Sequence, residues 1–172
     1  MSISNEATAQ LVSVDEYLHS SFEYDAEYVE GRIVYRPLPQ MTHSDMQGNL
    51  YAALREECRP TGHRVWLELR VRTKREPSRF RIPDLCVTFG KPNEEVLTAP
   101  PFLCVEILSP DDSAVELRIK IDEYLTFGVA YVWVIDPVSN SGEIYTRDRV
   151  ERISDGQFRA GEISVDLRTF ES

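Results

Sequence analysis

The stretch IPDLCVTFGKPNEEVLTAPPFLCVEILSPDDSAVELRIK, Ile82 to Lys120, decides how the chain folds. It contains two short apolar runs, and each carries one carboxylate, Asp84 and Glu106, where a strand ordinarily holds an apolar side chain. Lys120 follows on the next predicted helix. Burying an ionised carboxylate costs on the order of 5 kcal/mol unless a partner offsets it. Two such acids on neighbouring strands repel one another and raise each other's pKa. A divalent cation between them would remove both penalties, so the pattern points to a metal-binding pair.

Working outward, a crossover helix between the Glu106 strand and the apolar run Ala130 to Ile135 implies a parallel, right-handed β-α-β unit within a mixed sheet. The helix begins near Ser109-Pro110-Asp111-Asp112, carries the stripe Ala114, Leu117, Ile121, Tyr124 and Leu125, and closes at Gly128. Upstream, Ser13-Val14-Asp15-Glu16 forms a capping box, with Val12 against Tyr17 as a hydrophobic staple and a helix to about Glu23. Glu30-Gly31 turns into a strand from Arg32 to Arg36. Thr42-His43-Ser44-Asp45 resembles a second capping box, opening a helix that Pro60 and Gly62 close. Strict alternation from Val65 to Val71 predicts one strand, and Arg81 to Phe89 predicts the strand bearing Asp84. Glu143 to Thr146 and a hairpin at Ser154-Asp155-Gly156 complete a β tail. The expected architecture is α/β (α+β), a mixed sheet flanked by helices. The expected organisation is a flexible leader over 1–11 and a single domain over 12–172.

Composition agrees with a globular chain: 172 residues, 42% apolar and 28% charged. Three cysteines without CxxC spacing read as free thiols in a reducing cytoplasm. No apolar run is long enough to cross a bilayer, and the N-terminus lacks the pattern of a signal peptide. The net charge of −10 argues against a nucleic-acid partner, but its distribution is uneven. Residues 64–81 hold seven basic side chains against two acids, giving +5 and leaving −15 for the remainder. Either this block seeks phosphate beside a metal site, or it is a solvated loop with arginines on the outer face of a strand.

Period two places Asp84 with Cys86 and Thr88, and Glu106 with Cys104 and Leu108. Two carboxylates, the backbone carbonyl of Ile107 and waters would suit Mg²⁺ or Mn²⁺ rather than zinc. The Lys120 ammonium could reach back over the carboxylates to orient a water and balance transition-state charge. The alternative is a snorkelling lysine whose stem covers the core.

These residues carry a resemblance. Pro83-Asp84, the acid within VEIL and the lysine resemble the PD-(D/E)XK nuclease superfamily. More closely, EYVEGRIVYRP, His43, PDLCV, VEILSP, K-x-x-x-Y and GVAYVWVIDP are similar to the Uma2 family of restriction-endonuclease-like proteins, over roughly Val14 to Tyr145. Two positions after Glu106 stands Leu108 rather than lysine, and Lys120 matches the displaced lysine of the Uma2 pattern.

The resemblance implies a Mg²⁺-dependent (or Mn²⁺-dependent) endonuclease acting on DNA, leaving 5′-phosphate and 3′-hydroxyl ends. Asp84 and Glu106 would hold the metal with Ile107, Lys120 would assist the water, and a homodimer is expected. Glu27 would join the metal shell as a helix-borne acid, or else is a solvated acid before a turn. His43 would touch phosphate or merely cap its helix. Arg70, Arg72 and Arg81 would contact the phosphate backbone, while Tyr124 and Trp133 read as packing. The competing reading is a non-catalytic module that keeps the nuclease fold and binds nucleic acid or a protein partner. A glycosidase acid/base pair is set aside, because no aromatic cluster accompanies the acids.

Overall fold

The computed structural model describes residues 11–170. The expected leader therefore falls, except for Leu11, outside the described residues. At the start of the described chain, Val12 donates its N–H to the Gly31 carbonyl at 2.8 Å.

The first elements build a small sheet. Helix α1, Val14–His19, is capped by Ser13, whose hydroxyl accepts from the Glu16 N–H at 3.1 Å. It ends sooner than the expected Glu23, at Ser20. Strands β1, Ala26–Val29, and β2, Arg32–Tyr35, form a hairpin. Tyr17, Tyr28 and Phe80 form the small core beneath, with ring centroids 5.2–5.9 Å apart.

Helix α2, Met41–Cys58, buries Met46, Leu50, Leu54 and Cys58, one residue per turn on one face. The expected capping box at Thr42 does not form. The extended backbone stops at Gln40, so Thr42 already lies inside the helix.

The alternating run from Val65 to Val71 is two strands rather than one. Strand β3, His63–Leu67, joins the larger sheet, and β4, Val71–Lys74, joins the smaller. Between them Glu68 adopts a left-handed φ of 48°, which turns the chain out of the pleat. The segment from Arg81 to Phe89 divides likewise. Strand β5, Arg79–Arg81, completes the small sheet in the order β2-β1-β5-β4, and β6, Leu85–Phe89, enters the large one. Asp84 sits at that break, just ahead of β6.

Strand β7, Leu103–Ile107, bears Glu106 and pairs antiparallel with β6. Helix α3, Ala114–Phe127, then crosses over to β8, Tyr131–Asp136, which runs parallel to β7 as expected. The helix starts later than Ser109: Asp112 folds back to accept the Ser109 N–H at 2.7 Å, and Ser113 is the cap. Gly128, at φ 113°, closes it. Strands β9, Ser141–Tyr145, and β10, Val150–Ile153, extend the large sheet to the order β10-β9-β8-β7-β6-β3. Residues Ser154 to Gly156 do not form a hairpin. They lead out of the large sheet into a separate pair, β11, Gln157–Ala160, with β12, Ile163–Asp166.

The two faces of the large sheet bury different cores. Leu85, Val87, Leu103, Val105, Trp133 and Ile135 meet α2 and the β11–β12 pair. Cys86, Cys104, Val132 and Val134 face Ile121 and Tyr124 of α3. Trp133 packs on Phe158, as expected of a core residue, and donates Nε1–H to the Arg159 carbonyl at 3.2 Å. Asp84 and Glu106 lie on the α3 side of this sheet, where the small sheet approaches.

A candidate active site between two sheets

The register puts the two acids side by side. Cys86 lies directly opposite Cys104, so two residues along each strand bring Asp84 opposite Glu106 at the end of the ladder. Both are buried, and both border a cleft of about 300 Å³ together with Arg36, His43, Ile107, Asp112 and Lys120. An adjoining chamber of about 210 Å³ adds Glu27, Tyr35 and Arg81 to Arg36, Glu106 and Lys120.

Every carboxylate oxygen of the pair is engaged by a protein donor. Asp84 Oδ2 accepts the Ile107 N–H at 2.6 Å. Its Oδ1 pairs with the Arg36 guanidinium and lies 3.4 Å from His43 Nε2. Glu106 Oε2 lies 2.8 Å from Lys120 Nζ, and Oε1 accepts the Tyr124 hydroxyl at 2.7 Å. Tyr124, read from the sequence as packing, is thus buried and bonded to the site. Lys120 and Tyr124 stand four apart on α3, so one helical face presents both to Glu106.

Glu27 joins from the small sheet, on strand β1 rather than on a helix. Its Oε1 lies 3.2 Å from Lys120 Nζ and accepts the Ile82 N–H at 3.1 Å, while Oε2 pairs with Arg81 at 2.9 Å. Arg81 is clamped from its other side by Glu123, through Nε–H at 2.8 Å and Nη2 at 2.7 Å. Glu123 also pairs with Arg79 and accepts the Thr73 hydroxyl at 3.2 Å. Two sheets and α3 are thereby laced by alternating charges, from Glu123 through Arg81, Glu27 and Lys120 to Glu106.

This lacing changes the meaning of the basic block. Arg81 is buried, and its guanidinium is committed to Glu27 and Glu123. Arg72 lies over the Phe80 ring and donates to Ser78 Oγ at 3.0 Å. Arg70 lies over the Tyr17 ring, 5.6 Å from its centroid. The structure does not gather these three guanidinia into one patch facing the Asp84 cleft. The rim of that cleft is instead acidic, with Glu23, Asp25, Glu68 and Asp112 all exposed.

The electrostatics of the two acids diverge. Burial alone would raise the Asp84 pKa, but hydrogen bonding to His43 and the charge of Arg36 outweigh it and hold the carboxyl at about 2. Glu106 is pushed above the usual range by burial and by the Asp84 charge, with Lys120 offsetting only part. Burial opposes the Lys120 charge, yet Glu106 and Glu27 more than compensate and keep its pKa above the ordinary value. Glu27 is lowered, because Lys120 and then Arg81 override its burial. His43 is raised chiefly by its bond to Asp84, and its Nδ1 has no hydrogen-bond partner among the described residues.

Among the described residues no group of three or more His, Cys, Asp or Glu side chains is disposed to hold a metal ion. Of the groups lining the cleft, Asp84 and Glu106 are the two buried carboxylates, with Ile107 beside them. A hard dication such as Mg²⁺ binds through one or two carboxylates and keeps several waters, so the donor chemistry fits it. Sequence reading missed Arg36 and Glu123. Arg36 entered only as the end of the strand that Pro37 and Pro39 close, and nothing local ties it to an acid 48 residues away.

Comparisons with known proteins bear on the family and the fold. The family described as Uma2, "Putative restriction endonuclease", matches residues 14–170. A crystal structure titled as a "putative nuclease belonging to DUF820" from Anabaena variabilis superposes with a TM-score of 0.79 at 25% identity. The match covers 92% of this chain and 97% of that one. No curated protein matches significantly. No helix among the described residues is long and apolar enough to cross a membrane.

Proposed function

This chain belongs to the Uma2 family of restriction-endonuclease-like proteins, and on that premise we propose that it is a Mg²⁺-dependent DNA endonuclease hydrolysing phosphodiester bonds. The observation that carries the reading is the convergence of Asp84, Glu106 and Lys120 at one cleft, from two adjacent strands and the following helix. Asp84, Glu106 and the Ile107 carbonyl would hold the ion, which when bound supplies Lewis-acid polarisation of the scissile phosphate.

The chain's own groups divide the remaining work. Asp84, with its depressed pKa, is an anion at any working pH. Lys120 stays protonated, so it serves as a fixed positive charge that orients water and stabilises charge on the transferring phosphoryl group. Glu106 is the more basic carboxylate, and Tyr124 and Lys120 fix its orientation. Glu27 holds Lys120 from the opposite side. His43, which lines the same cleft, would contact an entering phosphate. A homodimer acting in the cytoplasm completes the reading, since cutting both strands of a duplex calls for two sites.

Nicking of supercoiled plasmid tests it. Wild type with Mg²⁺ or Mn²⁺ is expected to give nicked and linear products, and Lys120→Ala none. Wild-type inactivity on supercoiled, linear and single-stranded DNA with both metals would overturn the enzyme.

A second reading is a catalytically weak module that binds nucleic acid or a protein partner. It is favoured by the complete pairing of all four carboxylate oxygens and by the acidic rim, which repels a polyanion. Calorimetry showing no Mn²⁺ binding to wild type would select it.

A further inference from the structure

This inference rests on the metal-dependent reading above. We propose that Arg36 is an exchangeable counter-ion: it holds Asp84 in the metal-free protein, yields that carboxylate to the divalent cation, and then contacts the substrate phosphate.

Three features single out Arg36 among the cations of the site. The first is place. Its guanidinium pairs with Asp84 Oδ1, the carboxylate oxygen not bonded to the Ile107 N–H, and it borders both chambers of the cleft. A guanidinium and a dication compete for that carboxylate, because like charges a few ångströms apart repel strongly in a partly buried site.

The second is freedom to leave. Lys120 is held between Glu106 and Glu27, and Arg81 between Glu27 and Glu123. The Arg36 side chain is 17% exposed, whereas that of Asp84 is 1% exposed. Its second carboxylate neighbour is Asp25 on the rim, with Nη1 3.9 Å from Oδ2 and the Asp25 side chain 49% exposed. The Arg36 N–H donates to the Asp25 carbonyl at 2.9 Å, so the backbone is tied and only the side chain has to swing.

The third is destination. Swinging from Asp84 toward Asp25 keeps the guanidinium at the cleft mouth, where a phosphodiester would enter past Glu23, Asp25, Glu68 and Asp112. A cation there would offset the acidic rim at the moment of binding. Arginine suits the task, since its planar fork matches carboxylate and phosphate alike. The exchange makes metal and DNA binding cooperative, as each favours the displaced position of the same side chain.

If Arg36 occupies Asp84 about nine-tenths of the time, removing it tightens apparent metal binding about tenfold. Calorimetry with Mn²⁺ is therefore expected to show Arg36→Gln binding about tenfold more tightly than wild type, Arg36→Lys between the two, and Asp84→Asn not at all. Without metal, Arg36→Gln should melt below wild type, and Mn²⁺ should raise its melting temperature by more than it raises that of wild type. In a Lys120→Ala background, which prevents cleavage, Arg36→Gln should weaken duplex oligonucleotide binding in Mn²⁺ several-fold.

Equal or weaker Mn²⁺ binding by folded Arg36→Gln, while wild type binds, overturns the exchange and leaves the metal site standing. If Arg36→Gln does not fold, Arg36→Lys decides, and Mn²⁺ binding no tighter than wild type overturns it. Unchanged oligonucleotide affinity overturns the phosphate role. Absence of Mn²⁺ binding in wild type and both Arg36 variants removes the metal reading itself, and the proposal with it.

Discussion

The Lys120 ammonium lies 2.8 Å from Glu106 Oε2, and Glu27 Oε1 stands 3.2 Å away on its other flank. One cation thereby joins an acid of the large sheet to an acid of the small one. Two carboxylates brought together by strand register would repel each other. Here Arg36 and Lys120 already neutralise them, so burial of Asp84 and Glu106 does not by itself require a metal.

Replacing Lys120 with methionine keeps the stem and removes the charge. Cleavage is expected to fall by about 10²–10³-fold, the size of losing one preorganised electrostatic contact. Glu106 would then keep only the Tyr124 hydroxyl, with no cation between it and the Arg81-paired Glu27, and removing one partner of a buried pair costs about 3–5 kcal/mol. Initial nicking rates and urea denaturation measure the two effects separately. A variant as active as wild type contradicts the assigned role.

Tyr124→Phe removes only the hydroxyl that donates to Glu106 Oε1. A hydrogen bond to a charged, buried acceptor contributes about 1.5–3 kcal/mol, and that loss is expected in urea denaturation. Wild-type stability in the variant would mean that Tyr124 is packing alone.

Glu123 gives a pH-dependent test. Burial would raise its pKa, but hydrogen bonds and charge from Arg81 and Arg79 prevail and hold it below the ordinary 4.5. A carboxylate depressed in the folded state stabilises it above the unfolded pKa, and that contribution disappears as pH falls through the folded value. Glu123→Gln should therefore be less stable than wild type at pH 7 by about 1–3 kcal/mol, with the gap closing below about pH 4.5. Melting temperatures across pH 3–7 check this, and a gap independent of pH would contradict it.

Gly142 on β9 lies opposite Ile135 in the central ladder. A Cβ built there would stand 2.0 Å from the Val134 carbonyl oxygen and 3.2 Å from Ile135 Cα, both backbone atoms that cannot rotate away. Gly142→Ala is expected to cost about 1–3 kcal/mol or more, as overpacking does. An unchanged denaturation midpoint would show that the sheet can part at this position.

Local pattern by itself determined the parts of this protein that depend on neighbours in the chain. Acids inside apolar runs marked Asp84 and Glu106, the helical stripe placed Lys120 beside Tyr124, Gly128 closed α3, and the crossover forced β7 and β8 to run parallel. Tertiary structure alone decided that the run through Glu68 splits between two sheets, that Arg81 turns inward to Glu27 and Glu123, and that Arg36 reaches Asp84. These ion pairs join residues 42 to 54 positions apart. Periodicity reports which face of an element is buried, but which opposite charge waits there depends on how the sheets dock. An arginine pattern therefore looks the same in sequence whether it will meet solvent, phosphate or a buried carboxylate.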